Sequence, residues 1–299
     1  MKVLNISENR FNSLERFELA DDISNMESEL FVFVEKNKWL KRKLLLKKLL
    51  LNSGTTFSNK LFTLNELIDK REVINIDEFV MPEKLISVSG KIVGFTMPLV
   101  DNINFKHILN SNYVSNKQKI QYFVEIGQLL ERMKNVRKYS SIKDFYLGDI
   151  HENNFILNKD NGKINVVDLD SCKINGNNNF TSKYLFQSDN IINVSKYISL
   201  DNPYGIKGWY QIDENTDLFC YIMMILNYLS GINVVDLTID EYYNYLEYLH
   251  SIGVSYELID LLSLIYIEKD NENPYEYLDE LTNIVGRSNY NVYKLTKKK

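Results

Sequence analysis

The sequence predicts an α+β fold in two parts, a strand-rich first half and a helical second half. Three observations predict it. Short apolar runs separated by brief polar turns fill residues 30–100. Beyond residue 117, longer stretches carry apolar side chains at helical spacing. A run of short strands and turns, residues 144–174, interrupts the helical half. The expected division falls near residue 100, with parts 1–100 (an antiparallel sheet plus one helix) and 101–299.

Taken in order, residues 30–34 and 39–51 are two apolar runs around a polar turn, which predicts a hairpin. Residues 63–70 read as a short helix. Residues 83–89 and 91–100 read as two strands joined around Gly90. Residues 117–136 place Ile120, Phe123, Val124, Ile126, Leu129, Leu130 and Met133 on one helical face. Residues 217–229 are apolar nearly all round, which predicts a buried central helix. Residues 240–250 and 256–267 are further helix candidates.

Composition narrows the function classes. The 299 residues carry 44% hydrophobic and 25% charged side chains, values that exclude disordered, collagenous and coiled-coil chains. A net charge of −5 offers no global attraction to nucleic acid or anionic lipid, so neither is an expected partner. The dense basic stretch 36–48 and the lysine-ended tail read as a solvated strand face and a frayed terminus. No basic-then-apolar signal peptide opens the chain. Its longest apolar run, 218–229, is shorter than the roughly 20 residues a membrane span needs. Two cysteines cannot build a disulfide framework, which favours a reducing compartment and a cytoplasmic location. With three scattered histidines they also make a zinc site an unlikely design. Nucleophile-elbow and Walker motifs are absent from the sequence.

The informative stretch is Gly148-Asp149-Ile150-His151-Glu152-Asn153-Asn154-Phe155-Ile156-Leu157, followed by Ile164-Asn165-Val166-Val167-Asp168-Leu169-Asp170. Asp149 and Asn154 lie five apart in a polar loop. A hairpin over 155–167 would bring Asp168 back beside Asn154. Two carboxylates and an amide oxygen then converge, a donor set that suits Mg²⁺ with substrate phosphates. The bland alternative is that Asp149 and Asn154 cap turns.

This spacing resembles the catalytic loop and metal-binding Asp of protein-kinase-like phosphotransferases, in which Asp-x-x-x-x-Asn precedes the metal Asp. The resemblance implies a two-lobed protein-kinase-like fold with a strand-rich N-lobe and a helical C-lobe. It implies ATP and Mg²⁺ as cofactors and a hydroxyl-bearing acceptor, protein or small molecule. Asp149 would orient the acceptor hydroxyl, and Asn154 and Asp168 would hold the metal. Lys47, ending the run Leu44-Leu45-Leu46, would contact the α- and β-phosphates, with Lys43 and Lys48 as competitors. Glu66, on the following helix, would hold Lys47 in place, with Glu72 as its rival. In the interlobe hinge Met97 would be the gatekeeper, Pro98 would offer a carbonyl and Val100 an N–H to adenine. Asp217 would brace the catalytic loop through backbone hydrogen bonds.

Five departures stand against the family pattern. No glycine occurs between Met1 and Ser53, so the glycine-rich phosphate loop is missing, and residues 23–28 take its place. Leu147-Gly148 replace the usual His-Arg, which argues against phosphorylation-gated activation. His151 gives a Gly-Asp-x-His pattern that looks more like bacterial small-molecule phosphotransferases. Asp170 replaces the glycine of the metal motif, and no Ala-Pro-Glu follows the polar segment 175–208. The alternative reading is a pseudokinase, the same fold serving as a binding module.

Overall fold

The computed structural model describes residues 2–17, 28–36, 41–50, 54–176, 212–234, 237, 239–264 and 272–284. It is an α+β fold with a six-stranded mixed sheet and a helical part, compatible with two lobes. The expected glycine-loop position and most of segment 175–208 lie outside the described residues.

The sheet is built from β1 (Val3–Ile6), β2 (Glu15–Arg16), β3 (Ser28–Lys36), β4 (Lys41–Leu49), β5 (Lys84–Val88) and β6 (Lys91–Pro98), in the order β1-β5-β6-β4-β3-β2. Strands β3 and β4 form the expected antiparallel pair, in register from Ser28–Leu49 to Lys36–Lys41. The sequence reading expected a wholly antiparallel sheet. Instead β1 pairs parallel with β5, through Val3–Leu85 and Ile6–Val88. A four-residue strand whose partner lies some eighty positions away carries no local signal of its pairing.

Both faces of the sheet are covered, which explains the unbroken Leu44-Leu45-Leu46 run. Alternate side chains go to opposite faces. Leu44 and Leu46 pack with Ile6, Phe33 and Ile86. Leu45 and Leu49 pack with Leu64 and Ile68 of helix α2 (Gly54–Asp69) and with Val80, Phe95 and Met97. The sequence reading found only the last part of α2, because its first turns are threonine-, serine- and asparagine-rich. Two shorter helices, Glu8–Asn12 and Arg71–Ile74, add to the expected single one.

A three-stranded sheet of order Ile164–Val166, Phe155–Asn158, Asn102–Asn104 follows. The segment after Ile74 ties this sheet to the first part. Val80 N–H donates to Val166 O at 2.9 Å, and Val166 N–H donates to Glu78 O at 2.8 Å. These bonds place the Phe155–Asn158/Ile164–Val166 hairpin against the large sheet. The hairpin pairs Leu157 with Ile164 and Phe155 with Val166, as the loop spacing predicts. The helical part is centred on Asn116–Tyr139 and Glu214–Ser230, the latter apolar on every side and buried through Leu218–Leu226. Tyr221, wholly buried, donates its hydroxyl to Phe123 O at 2.6 Å and so joins the two helices.

One glycine sets how closely β4 and β6 approach. A Cβ on Gly94 would lie 2.1 Å from Lys47 O and 2.9 Å from Lys48 Cα, both backbone atoms that cannot yield locally. Next to it, the β5–β6 register shifts between Ile86 and Ser87. Gly94→Ala is therefore expected to cost about 2 kcal/mol or more in urea unfolding, at the upper end of overpacking losses. A change under about 0.5 kcal/mol, the ordinary surface value, would contradict this account of the strand spacing.

Candidate functional site

Strand alternation sends Lys47 to the same face as Leu45 and Leu49, toward α2 and away from solvent. Lys43 is exposed, and Lys48 goes to the other face, where it bonds Glu29 at 2.6 Å. Of the three competing lysines, Lys47 is the buried one, at 5% exposure.

The turn after Val166 supplies its partners. Asp168 has φ 65° and ψ 34°, the left-handed region that aspartate tolerates better than most residues. It caps the short 3₁₀ turn Leu169–Ser171. Asp168 and Asp170 thereby reach the same ammonium. Lys47 Nζ bonds Asp168 Oδ1, and it bonds Asp170 Oδ1 at 2.7 Å. Lys60 of α2 bonds Asp170 Oδ2 at 3.3 Å.

The charges shape one another. Burial opposes the Lys47 ammonium, but Asp168 and Asp170 outweigh it and hold its pKa above the ordinary value. Burial would also raise Asp170. The Lys47 and Lys60 charges outweigh that and hold it below the usual carboxylate range. For Asp168, burial and the neighbouring Asp170 prevail over Lys47 and push it up to about 6.

The loop before the hairpin is held from beneath. Gly148 has φ +73°, and a Cβ there would stand 2.4 Å from Ile212 Cδ1, so glycine is required. Asp217, 4% exposed, accepts the N–H of Leu147 at 2.8 Å and of Gly148 at 2.7 Å. Asp217 is not the helix cap. Asp213 caps, in a reciprocal box with Thr216. Asn154 then reaches back to Asp149, its Nδ2 donating to the backbone O at 2.8 Å and to Oδ2 at 3.3 Å. With the amide nitrogen so engaged, the Asn154 Oδ1 is the atom left to coordinate. His151 Nδ1 accepts the Asn153 N–H at 3.2 Å, which turns Nε2 toward Asp149 Oδ2, 3.5 Å away.

A cleft of about 490 Å³ opens between these elements. Its lining is mixed: the apolar side chains include Leu30, Leu45, Val80, Met97 and Ile156, and the polar ones include Lys47, Asn102, His107, His151, Asn154 and Asp168. Pro98 and Val100 also line it. No described residue accepts from the Val100 N–H. Lys47, Met97, Pro98, Val100, Asn154 and Asp168 are thus brought together. Asp149 sits beside the cleft, behind His151 and Asn154, and is not among its lining residues.

Glu66 is not brought to the site. Lys47 is held by Asp168 and Asp170, and Glu66 instead accepts from Asn175 Nδ2 at 2.5 Å. The rival Glu72 is exposed on the next short helix. The reason is helical phase. Residues 60, 63, 64, 67 and 68 form the buried stripe of α2, and position 66 falls off it. Sequence reasoning missed Lys60 and the role of Asp170. Their signals were a lysine inside an apolar stripe and an aspartate where the resemblance implied glycine.

Among the described residues no group of three or more His, Cys, Asp or Glu could hold a metal, and no helix is long and apolar enough to cross a membrane. No protein-family model and no curated protein matches this chain.

Asp217 makes a pH prediction. Burial pushes its carboxyl up to about 7, against the bonds from Gly148 and Leu147 that favour the charged form. A folded pKa above the unfolded one stabilises the fold below about pH 4, and that stability is lost as pH rises toward 7. The slope is at most about 1.4 kcal/mol per pH unit. Asp217→Asn keeps one acceptor and cannot titrate, so its penalty against the wild type should shrink from pH 5 to pH 7 in urea unfolding. A constant penalty would refute the shift.

Proposed function

We propose that this chain is an ATP-dependent phosphotransferase of the protein-kinase-like superfamily, its sheet and helical part corresponding to an N-lobe and a C-lobe. The observation that carries the reading is that Lys47, Asn154 and Asp168 line one cleft together with apolar side chains and with Met97, Pro98 and Val100.

The residues fit the roles chemically. Leu45, Val80 and Ile156 would sandwich a flat base, and the Pro98 carbonyl and Val100 N–H would meet its polar edge. Lys47 would pair with phosphate oxygens as a point charge. One carboxylate and one amide oxygen, from Asp168 and Asn154, suit Mg²⁺, which takes its remaining ligands from phosphates and water. When bound, Mg²⁺ would neutralise charge on the β- and γ-phosphates. Asp149, aligned by Asn154 and facing His151, would accept a hydrogen bond from the acceptor hydroxyl and orient it for in-line attack. The buried Asp217 would keep the loop bearing Asp149 in place.

The expected behaviour is Mg²⁺-dependent ATP turnover by the wild type. Asp149→Ala should lower it by about 10²-fold or more while the Kd for ATP stays unchanged, because Asp149 acts on the acceptor and not on the nucleotide. Undiminished turnover in that variant would sink the assignment. ATP binding without turnover in the wild type would favour the binding-module reading, which the missing glycine loop and the displaced Glu66 also support.

A further inference from the structure

The residue that α2 brings to the Lys47 cluster is opposite in charge to the one the family resemblance implies. Where a helix carboxylate is expected, α2 presents Lys60. The anion comes from the turn after the metal-ligand candidate, as Asp170, which is wholly buried. Its two oxygens are divided: Oδ1 accepts from Lys47 at 2.7 Å and Oδ2 accepts from Lys60 at 3.3 Å. Lys60 is 7% exposed, so the bridge is shut off from water.

Stability alone does not account for such a bridge. Buried ion pairs seldom outperform apolar packing of the same volume, because desolvation cancels most of the attraction. Geometry offers a better reason. Asp168 has two claims on it, the Lys47 ammonium and, in the proposed function, a metal ion. If Asp168 were the sole anchor, engaging a metal would release Lys47 into the cleft. Asp170 stands two residues further on the same rigid turn and lines no part of the cleft.

Resting on the phosphotransferase reading, we propose that Asp170 and Lys60 are positioning residues for Lys47. Asp170 is the permanent anchor that holds the Lys47 ammonium at the phosphate end of the cleft when Asp168 turns to the metal. Lys60 fixes the second Asp170 oxygen and so ties helix α2 to that anchor. The pair replaces the helix carboxylate, and Glu66 is left to bond Asn175.

A charge-exchange cycle on the full chain tests this, reading the Kd for ATP with excess Mg²⁺ by calorimetry and the ligand-free unfolding midpoint. Asp170→Asn and Lys60→Glu should each weaken ATP binding by about tenfold or more, the former by freeing Lys47 and the latter by setting two carboxylates together. The combined variant restores one anion and one amide between Lys47 and the helix. It should recover most of the lost affinity. If Asp170→Asn does not fold alone, Lys60→Glu against the combined variant decides the matter in the same way. Lower midpoints with unchanged Kd, or a combined variant as weak as the worse single one, would make the bridge structural only and overturn the inference. A folded wild type that takes up no ATP would overturn the phosphotransferase reading first, and the inference with it.

Discussion

Two lysines and two aspartates meet in the interior, where strand β4, helix α2 and the turn after Val166 converge, and their mutual neutralisation fixes the rest of the site. Asp168 lines the cleft, but Lys47, Lys60 and Asp170 are buried, and none of these three could sit there alone, since a single buried charge would cost several kcal/mol. Together they oblige β4 to present Lys47 inward, α2 to dock with its Lys60 stripe down, and the Leu169–Ser171 turn to hold two carboxylates on one side. The left-handed Asp168 is what that turn requires. The cleft opens on this cluster, so its lining carries charge of both signs among apolar side chains.

Around the cluster, support comes from ordinary backbone chemistry. The Gly94 contact lets β4 lie tight on β6, which sets the height of Lys47. The Val80–Val166 and Glu78–Val166 bonds hang the hairpin from the first part of the chain, which sets the height of Asn154 and Asp168. Asp217 takes two backbone N–H groups that the sharp turn at Gly148 would otherwise leave unpaired in the interior. Each device acts through the backbone, and each fixes the position of a residue in or beside the cleft.

What was legible in the sequence was local. The strand bearing Lys47 and the hairpin that returns Asp168 to Asn154 could be read from neighbours alone, but which of Lys43, Lys47 and Lys48 turns inward could not, and burial decides it. The helix Asn116–Tyr139, read as 117–136, announced itself by period, and the helix Glu214–Ser230, read as 217–229, by its continuous apolar run. What was illegible depended on distant partners. The parallel strand Val3–Ile6 has no meaning until β5 is beside it. Glu66 had the right residue type and separation but the wrong helical phase, and phase could not be judged while the start of α2 was hidden by its polar first turns. Lys60 was not singled out, because only the fold brings Asp170 to it, across 110 positions of chain.

The proposed function requires the cleft to take a nucleotide with Mg²⁺ through Asp168. The most direct measurement is thermal unfolding of the wild type with and without millimolar ATP and Mg²⁺, beside Asp168→Asn. A ligand that binds only the folded chain stabilises it by about 2.7 kcal/mol at a hundredfold excess over Kd. The expected result is a Mg²⁺-dependent rise in the unfolding midpoint that the variant loses. A wild-type midpoint unmoved by ATP and Mg²⁺ at any concentration would contradict it.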